Sequence, residues 1–305
     1  MTEEQRRKNL CPPLRDFDVV LDTDAYNEID DQYAIAYLLS HRECRIAALY
    51  AAPYNNNRVK DAGEGMLRSY EEIGHIVDLC GKPEYRKVTY PGSERFLTSQ
   101  TEPVLSPAAR DLCQKAAEHS PENPLYVVVI GAATNIASAL LMDPCVRENT
   151  VVIWLGGHAA HYHDAREFNL MGDPLAAQVL FESGVPLVQL PCFGVVSEFL
   201  VSGAQLKEFL SGRNRLCDYL VSHTAETAES YAKGKPWSRV IWDVTAVAWL
   251  FNRNEEFMLS RLVPTPQIRD GQYRARNDAP LMAYVYKIWR DPLFEDLFSQ
   301  LADSV

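Results

Sequence analysis

Two continuous apolar runs constrain the fold of this chain more than any other feature. They are "LYVVVIG" at Leu125–Gly131 and "VVIWLGG" at Val151–Gly157. Both have the length of a strand and lack the alternation of polar and apolar residues, which is typical of a strand buried on both faces of a parallel sheet. Helix-period segments separate these runs from other strand-like runs. This βα alternation predicts an α/β fold with an open, mostly parallel sheet flanked by helices, and a more helical C-terminal third.

The predicted elements continue without a break along the chain. Strands are expected at Phe17–Leu21, Arg45–Ala52, Val88–Tyr90, Leu125–Gly131, Val151–Gly157, Pro186–Pro191 and near Ala283–Ile288. Helices are expected at Asp31–Leu39, Arg58–Cys80, Pro107–Glu118, Asn135–Met142, Asp173–Ser183, Ala204–Leu210, Arg213–Lys233, Asp243–Phe251 and Asp291–Leu301, with a hairpin around Asp270-Gly271. No linker, repeat or low-complexity tract interrupts them, so residues 1–305 are predicted to form a single domain.

Composition narrows the classes of partner. The net charge of -11 argues against a nucleic-acid partner, because no basic patch offsets it. No apolar run is long enough to cross a membrane, and "MTEEQRRKNL" lacks the apolar core of a signal peptide. Seven scattered cysteines without a CxxC pair suggest reduced thiols rather than a zinc site or disulfides. A cytoplasmic protein is therefore expected.

The turn "DTDAYNEIDD" concentrates acidic residues between the first strand and the first large helix. In open parallel sheets, ligands bind beyond the carboxyl ends of the strands, which is where this turn lies. Helix capping explains one or two of its carboxylates. It does not explain four beside apolar sequence, since two carboxylates about 5 Å apart repel by about 3 kcal/mol at an effective dielectric of about 20. The sequence therefore favours a cation site, and an all-oxygen ligand set suits calcium or magnesium.

A DxD motif also occurs in haloacid-dehalogenase-type phosphatases. Their pattern has Thr or Val two residues after the second Asp, where this chain has Tyr26. No suitable later lysine and GDxxxD pair is evident either. This alternative is therefore the weaker interpretation of the turn.

Four motifs in order resemble the inosine–uridine-preferring nucleoside hydrolase family. They are "DTDAYNEIDD", "GAATNIA" at Gly131–Ala137, "GGHAAHYHDAREFNLMGDPLAA" at Gly156–Ala177, and "WDVTAVAWL" at Trp242–Leu250. Each motif alone is weak, and their common order carries the resemblance over roughly Phe17 to Leu250. It implies a Rossmann-like core and calcium-dependent hydrolysis of the N-glycosidic bond of nucleosides to ribose and free base. It also implies a role in nucleotide salvage and a homo-oligomer, either a dimer or a tetramer.

The resemblance also implies roles for particular residues. Calcium would be held by Asp24, Asp31, Asp243 and a backbone carbonyl near Thr134, with Asp24 also the general base and Asp22 supporting it from behind. The sugar would be bound by the residues at Asp30, Asn55, Glu167 and Asn169, with Asn56 nearly as good a match as Asn55.

Three departures from the family pattern affect substrate choice. The acidic loop is two residues longer than usual. His161 stands where an Asn that reaches the sugar 5′ end is usual. Trp242 stands where pyrimidine-tolerant members carry a His that acts as leaving-group acid, so the sequence resembles purine-preferring members better, with Trp242 stacking on the base.

Each feature also has a structural interpretation. Thr134 and Asn135 are good helix-capping residues, and Trp242 is a good core residue. His158, His161 and His163 alternate like metal ligands, although a polar loop fits them equally well. Two other functions remain open: hydrolysis of another N-ribosyl compound or small glycoside, and non-catalytic binding of a sugar or nucleoside. Retention of Asp24, Asp31 and Asp243 argues against the second, because a binder needs no base.

Overall fold

A mostly parallel sheet organises the chain in a computed structural model that describes residues 1–303. The strands are Phe17–Thr23 (β1), Cys44–Ala51 (β2), Thr89–Pro91 (β3), Leu125–Val129 (β4), Thr150–Leu155 (β5), Leu187–Leu190 (β6), Leu200–Ser202 (β7), Ser238–Val240 (β8), Met258–Pro264 (β9), Gln267–Arg269 (β10), Gln272–Arg274 (β11) and Leu281–Ile288 (β12).

Helices connect and cover these strands. They are Glu3–Asn9 (α1), Asp30–Ser40 (α2), Ala62–Leu79 (α3), Pro107–Ala117 (α4), Thr134–Met142 (α5), Pro144–Asn149 (α6), Phe168–Gly172 (α7), Pro174–Glu182 (α8), Gly203–Leu210 (α9), Arg215–Ala232 (α10), Val244–Trp249 (α11) and Arg290–Ala302 (α12). Short 3-10 helices lie at Pro83–Val88, Val196–Glu198 and Arg253–Glu255.

The strand order of the main sheet locates its binding crevice. The order is β3-β2-β1-β4-β5-β6-β12-β9, and the pairs from β3 through β12 are parallel while β9 runs antiparallel to β12. The chain builds outward from β1 to β3 on one side and from β4 to β6 on the other. The order therefore reverses between β1 and β4, and ligands of open α/β sheets bind beyond the carboxyl ends of strands at such a point.

Core packing explains why the sheet is parallel and central. Val20 and Leu21 of β1 are both fully buried, and they pack into different apolar clusters on the two faces of the sheet. Ile153 and Trp154 of β5 divide between the same two clusters. Helices on both faces provide these clusters, so the continuous apolar runs are buried as predicted. The α/β fold with an open, mostly parallel sheet is confirmed.

Several element boundaries and connections differ from the prediction. α3 begins at Ala62 rather than Arg58, because Asp61 caps it by accepting a hydrogen bond from the Glu64 amide at 2.9 Å. The antiparallel edge strand β9 and the two-stranded β7–β8 sheet were not predicted. Exposed positions break the alternation in β9, and β7 and β8 have only three residues each. Within residues 1–303, no helix combines the length and apolarity required to cross a bilayer.

Candidate active site

A cavity of about 320 Å³ lies beyond the carboxyl ends of the central strands. Its lining combines residues that are far apart in the chain, from the turn after β1 to the start of α11. The structure brings seven of the predicted site residues to this lining: Asp24, Asp30, Asp31, Glu167, Asn169, Trp242 and Asp243. These seven residues therefore share one cavity at the switch point of the sheet.

Three buried carboxylates converge on one side of the cavity. Ligand oxygens of Asp30, Asp31 and Asp243 lie within 4.8 Å of one another. Asp30 and Asp31 form the first turn of α2, and Asp243 precedes α11, more than two hundred residues later. Asp24 lines the same cavity and is 2% exposed. The Thr23 hydroxyl donates a hydrogen bond to Asp31, which holds that side chain toward the cluster.

The pKa values of the cluster are raised because its carboxylates are buried and close together. Burial raises the pKa of Asp24, Asp31 and Asp243 well above the usual range, and the charges of neighbouring carboxylates raise these pKa values further. Burial also raises the pKa of Asp30 to about 6. A cation would offset both effects, because it replaces lost solvation and cancels like-charge repulsion.

Unpartnered carboxylate oxygens fit the same conclusion. Asp24 Oδ2 and Asp30 Oδ1 are buried without a hydrogen-bond partner among the described residues. Buried carboxylate oxygens need a donor or a cation. The cluster offers oxygen atoms only, as hard divalent cations prefer. These residues therefore fit a calcium- or magnesium-type ion.

Helix capping does not account for the acidic turn. The N-cap position of α2 is Ile29, which makes no side-chain capping hydrogen bond. Asp243 occupies the N-cap position of α11 and likewise makes none. The carboxylates therefore line the cavity and do not cap the helices.

Arg239 is an internal cation that sequence reasoning missed. It lies on β8, and its guanidinium forms an ion pair with Glu28 and approaches Asp30 Oδ1 at 3.6 Å. Its side chain is 13% exposed, so the pair is partly shielded from solvent. Nothing in the local sequence marked this arginine, because β8 meets the acidic turn only through the tertiary fold.

Glu167 and Asn169 are held by backbone groups at the cavity wall. Glu167 caps α7 and accepts hydrogen bonds from the Leu170 amide at 3.1 Å and the Gly157 amide at 2.7 Å. The Asn169 Nδ2 donates to the carbonyls of Ile130 at 3.1 Å and Leu155 at 3.0 Å. These bonds leave the Asn169 oxygen free to accept. Burial raises the pKa of Glu167 to about 7.

Asp22 and Thr134 lie behind the cavity rather than on its lining. Asn135 Nδ2 donates to Asp22 Oδ1 at 2.7 Å, and the Thr134 hydroxyl donates to Asp173 Oδ2 at 2.8 Å. Burial raises the pKa of Asp22 to about 7. Asn135 therefore ties β1 to α5 instead of capping a helix, and the supporting role of Asp22 stays a prediction. The metal role of the Thr134 carbonyl stays a prediction.

Asn55 and His161 are exposed and do not line the cavity. Their predicted contacts with the sugar stay predictions. Asn56 Nδ2 donates to Asn27 Oδ1 at 2.9 Å, and Asn27 does line the cavity. Asn56 thus approaches the site more closely than Asn55, through one intermediate residue.

His158, rather than His161, is the loop histidine that lines the cavity. His163 is exposed and pairs with Asp164 at 3.0 Å. Among the described residues, no set of histidines converges on a common point, so the metal interpretation of the three is not supported.

Aromatic rings form an apolar part of the cavity wall, in contrast to the charged part formed by the carboxylates. Trp242 lines the cavity, and the Phe193 ring meets it edge to face with centroids 5.4 Å apart. Phe168 also lines the cavity and is 46% exposed. Phe193 was not predicted as a site residue. It follows β6, and its position just after a strand of the sheet is the sequence signal that could have identified it. Trp242 packs against the core and also lines the cavity, so its position is compatible both with core packing and with stacking on a base.

Fold and cavity together define a class: an open α/β protein with a cation-type carboxylate site at the switch point of its sheet. The family model for "Inosine-uridine preferring nucleoside hydrolase" matches residues 19–280, and the chain belongs to that family. The predicted resemblance is thereby confirmed, as is the prediction of a hydrolase that acts on N-glycosidic bonds.

Individual relatives carry different base preferences in their names. The pyrimidine-specific ribonucleoside hydrolase RihA of Salmonella typhimurium is 28% identical over 250 residues, covering 76% of this chain and 78% of the relative. The non-specific ribonucleoside hydrolase RihC of Salmonella schwarzengrund is 28% identical over 278 residues, covering 84% and 85%. The solved structure of an inosine-guanosine nucleoside hydrolase superposes with a TM-score of 0.75 at 15% identity, covering 96% of this chain and 100% of that chain.

Proposed function

We propose that this protein is a calcium-dependent hydrolase that cleaves the N-glycosidic bond of purine ribonucleosides to ribose and free base. The observation that carries the proposal is the convergence of Asp30, Asp31 and Asp243 within 4.8 Å inside a cavity that also holds Asp24. The reaction requires a cation and a nearby carboxylate base, and this arrangement supports both roles.

The cation would be held by Asp24, Asp31 and Asp243, with Asp30 beside them and the Thr134 carbonyl as a further oxygen ligand. A bound calcium ion would supply activation of the attacking water and a hold on the sugar hydroxyls. The all-oxygen donor set supports calcium, and magnesium is the competitor to be tested against it.

The chain's own carboxylates perform the remaining steps on the sugar. Asp24 takes the proton of the water that attacks C1′, and Asp30 accepts a hydrogen bond from a ribose hydroxyl. Positive charge builds on the sugar as the bond breaks, and the surrounding carboxylates favour it. Asn169, locked by its two carbonyl acceptors, orients the ribose, and Glu167 supports the same wall.

The aromatic wall supports a preference for purines. Trp242 is the chain neighbour of Asp243, and Phe193 meets the Trp242 ring edge to face on the lining of the same cavity. Base–aromatic stacking is worth about 1–3 kcal/mol, and a purine offers more ring surface than a pyrimidine. This preference differs from the names of RihA and RihC, so it is a proposal about this chain alone.

Hydrolysis of another N-ribosyl compound or small glycoside is the second candidate. The exposure of Asn55 and His161 favours it, because two contacts expected for a nucleoside ribose lie off the cavity. The same scaffold and the same carboxylates serve either substrate class.

A panel of nucleosides assayed for free ribose tests the proposal. Inosine, adenosine, guanosine, uridine and cytidine are incubated with protein in calcium, in magnesium and in chelator. We expect purine hydrolysis in calcium, loss in chelator and loss in Asp24→Asn, while the exposed control Asp278→Asn retains wild-type turnover. No release from any nucleoside, with release from another ribosyl compound, would transfer support to the second candidate. Assembly into a dimer or tetramer is a separate proposal, tested by light scattering.

A further inference from the structure

His158 is a buried imidazole on the lining of the cavity for which neither the cation site nor the sugar contacts provide a role. It is 8% exposed, and its Nδ1 atom is buried without a hydrogen-bond partner among the described residues. Buried ring nitrogens are normally paired, so an unpaired one on a ring that lines a cavity indicates a group that bonds to a ligand.

Backbone hydrogen bonds hold this imidazole in place. The Cys192 amide donates to the Gly157 carbonyl at 2.8 Å, and the Ala159 amide donates to the Phe193 carbonyl at 2.9 Å. These two bonds flank His158 and join its loop to the segment after β6. Gly157 has a φ of 71°, in the left-handed region that favours glycine, and this bend turns the chain so that His158 enters the cavity.

The imidazole stands on the aromatic wall, on the side where a base would stack. Its ring centroid lies 5.1 Å from that of Phe193, and Phe193 lies 5.4 Å from Trp242. Trp242 is the chain neighbour of Asp243 in the carboxylate cluster. Phe193 therefore contacts the rings of both His158 and Trp242, and Trp242 adjoins the carboxylate cluster through Asp243.

Other titratable groups on the lining are poor proton donors to a base. Glu167 has its oxygens occupied by backbone amides, and burial raises the pKa of the Cys192 thiol well above its usual range. The carboxylates are needed by the cation and the sugar. An indole N–H is not an acid at neutral pH, so Trp242 cannot protonate a leaving group.

We propose that His158 is the leaving-group acid of this enzyme, an inference that rests on the proposed nucleoside hydrolysis. As the bond from C1′ to the base breaks, its electron pair moves onto the base. The imidazolium N–H of His158 gives its proton to a ring nitrogen or carbonyl oxygen of that base. The water oxygen bonds to C1′, and Asp24 takes the water proton. Solvent then returns a proton to His158 and accepts one from Asp24.

The surroundings of His158 tune this transfer. Burial lowers the pKa of His158, while the charge of Asp164 and the Arg166 backbone oppose that shift and His163 adds to it. An imidazolium with a lowered pKa gives up its proton more readily, but fewer molecules carry that proton as the pH rises. The turnover of a poor leaving group should therefore fall as the pH rises through the pKa of His158.

Comparison of two leaving groups tests the role. Inosine needs its base protonated, whereas p-nitrophenyl β-D-ribofuranoside releases a phenolate that leaves without a proton. We expect His158→Gln to lower kcat for inosine by about 10²–10⁴-fold and kcat for the p-nitrophenyl riboside by less than about threefold. His163→Gln, the same change on the exposed part of the loop, should leave both rates unchanged.

The p-nitrophenyl riboside rate also reports whether His158→Gln folds. If that variant does not fold, the wild-type pH profile decides: inosine turnover should show the fall with rising pH, and p-nitrophenyl riboside turnover should not. Equal losses on both substrates, or identical wild-type profiles, would overturn the assignment of His158 alone. Failure of the wild type to cleave either substrate would instead overturn the proposed function and this role with it.

Discussion

Neutralising Asp243 should stabilise the metal-free protein and remove its response to calcium. Oxygens of Asp243, Asp30 and Asp31 lie within 4.8 Å of one another. A pair of unit charges at that separation repels by about 3 kcal/mol at an effective dielectric of about 20. Asp243→Asn removes two such pairs, so about 6 kcal/mol of repulsion is relieved when all three carboxylates are ionised.

Two effects reduce the repulsion that the substitution relieves. The raised pKa values of the cluster mean that part of the charge is already neutralised by protons in the metal-free protein. The negative charge of Asp243 at the start of α11 favours that helix by about 0.3–1 kcal/mol. No capping hydrogen bond is lost, because Asp243 makes none. We therefore expect a net gain of about 2 kcal/mol, or a rise in Tm of roughly 4 °C.

Calcium should reverse the order of stability. At a thousandfold excess over its dissociation constant, calcium stabilises the wild type by about 4.1 kcal/mol if it binds only the native state. The variant lacks a ligand and should gain little. Thermal unfolding at pH 8, with chelator and then with excess calcium, measures both effects, with the exposed Asp278→Asn as the matched control.

Two results would refute this reasoning. If Asp243→Asn is less stable than the wild type in chelator, the carboxylates do not repel one another as their distances indicate. If its Tm rises with calcium as much as that of the wild type, Asp243 is not a ligand and the cation lies elsewhere.

Three further predictions concern chemistry, base preference and pH. Asp24→Asn should lower kcat for inosine by about 10²–10⁴-fold while nucleoside still binds in equilibrium dialysis, and near-normal turnover would exclude Asp24 as the base. Trp242→Ala should reduce the purine-to-pyrimidine ratio of kcat/KM by about 10–100-fold with the calcium-induced Tm shift intact, whereas unfolding of the variant would identify Trp242 as core packing. The pKa of Glu167 is raised to about 7, so its contribution to stability is complete below the unfolded pKa of about 4.3 and is lost as pH rises through about 7. Since Glu167 is partly exposed, we expect a loss of roughly 2 kcal/mol between pH 4.5 and 8 in urea unfolding with calcium present, and Glu167→Gln should lack that loss.

Local sequence patterns were sufficient to predict most of the strands and helices. The apolar runs around β4 and β5 are buried on both faces, as continuous hydrophobicity predicts. Pro107 marks the first turn of α4, and Ser106 caps it. These signals depend on neighbouring residues only, and so they can be recognised in the sequence. β9 was missed because an edge strand exposed on one side lacks that pattern.

The sequence by itself determined the chemistry available at the site. It determined that acidic residues follow β1, that "EFN" and "WD" lie at later strand ends and helix starts, and that their order matches one family. What it could not determine is distance. Asp31 and Asp243 meet within 4.8 Å because α2 and α11 both begin at the same edge of the sheet.

Tertiary structure alone decided which similar residues reach the cavity. His158 and His161 are three residues apart in one polar loop, yet His158 is buried on the lining and His161 is exposed. The difference arises from the bend at Gly157 and from backbone hydrogen bonds to Cys192 and Phe193, on a segment more than thirty residues later. A side chain's surroundings depend on such long-range contacts, whereas its chemistry is fixed by its type, and for this reason sequence indicated the reaction while the fold selected the residues.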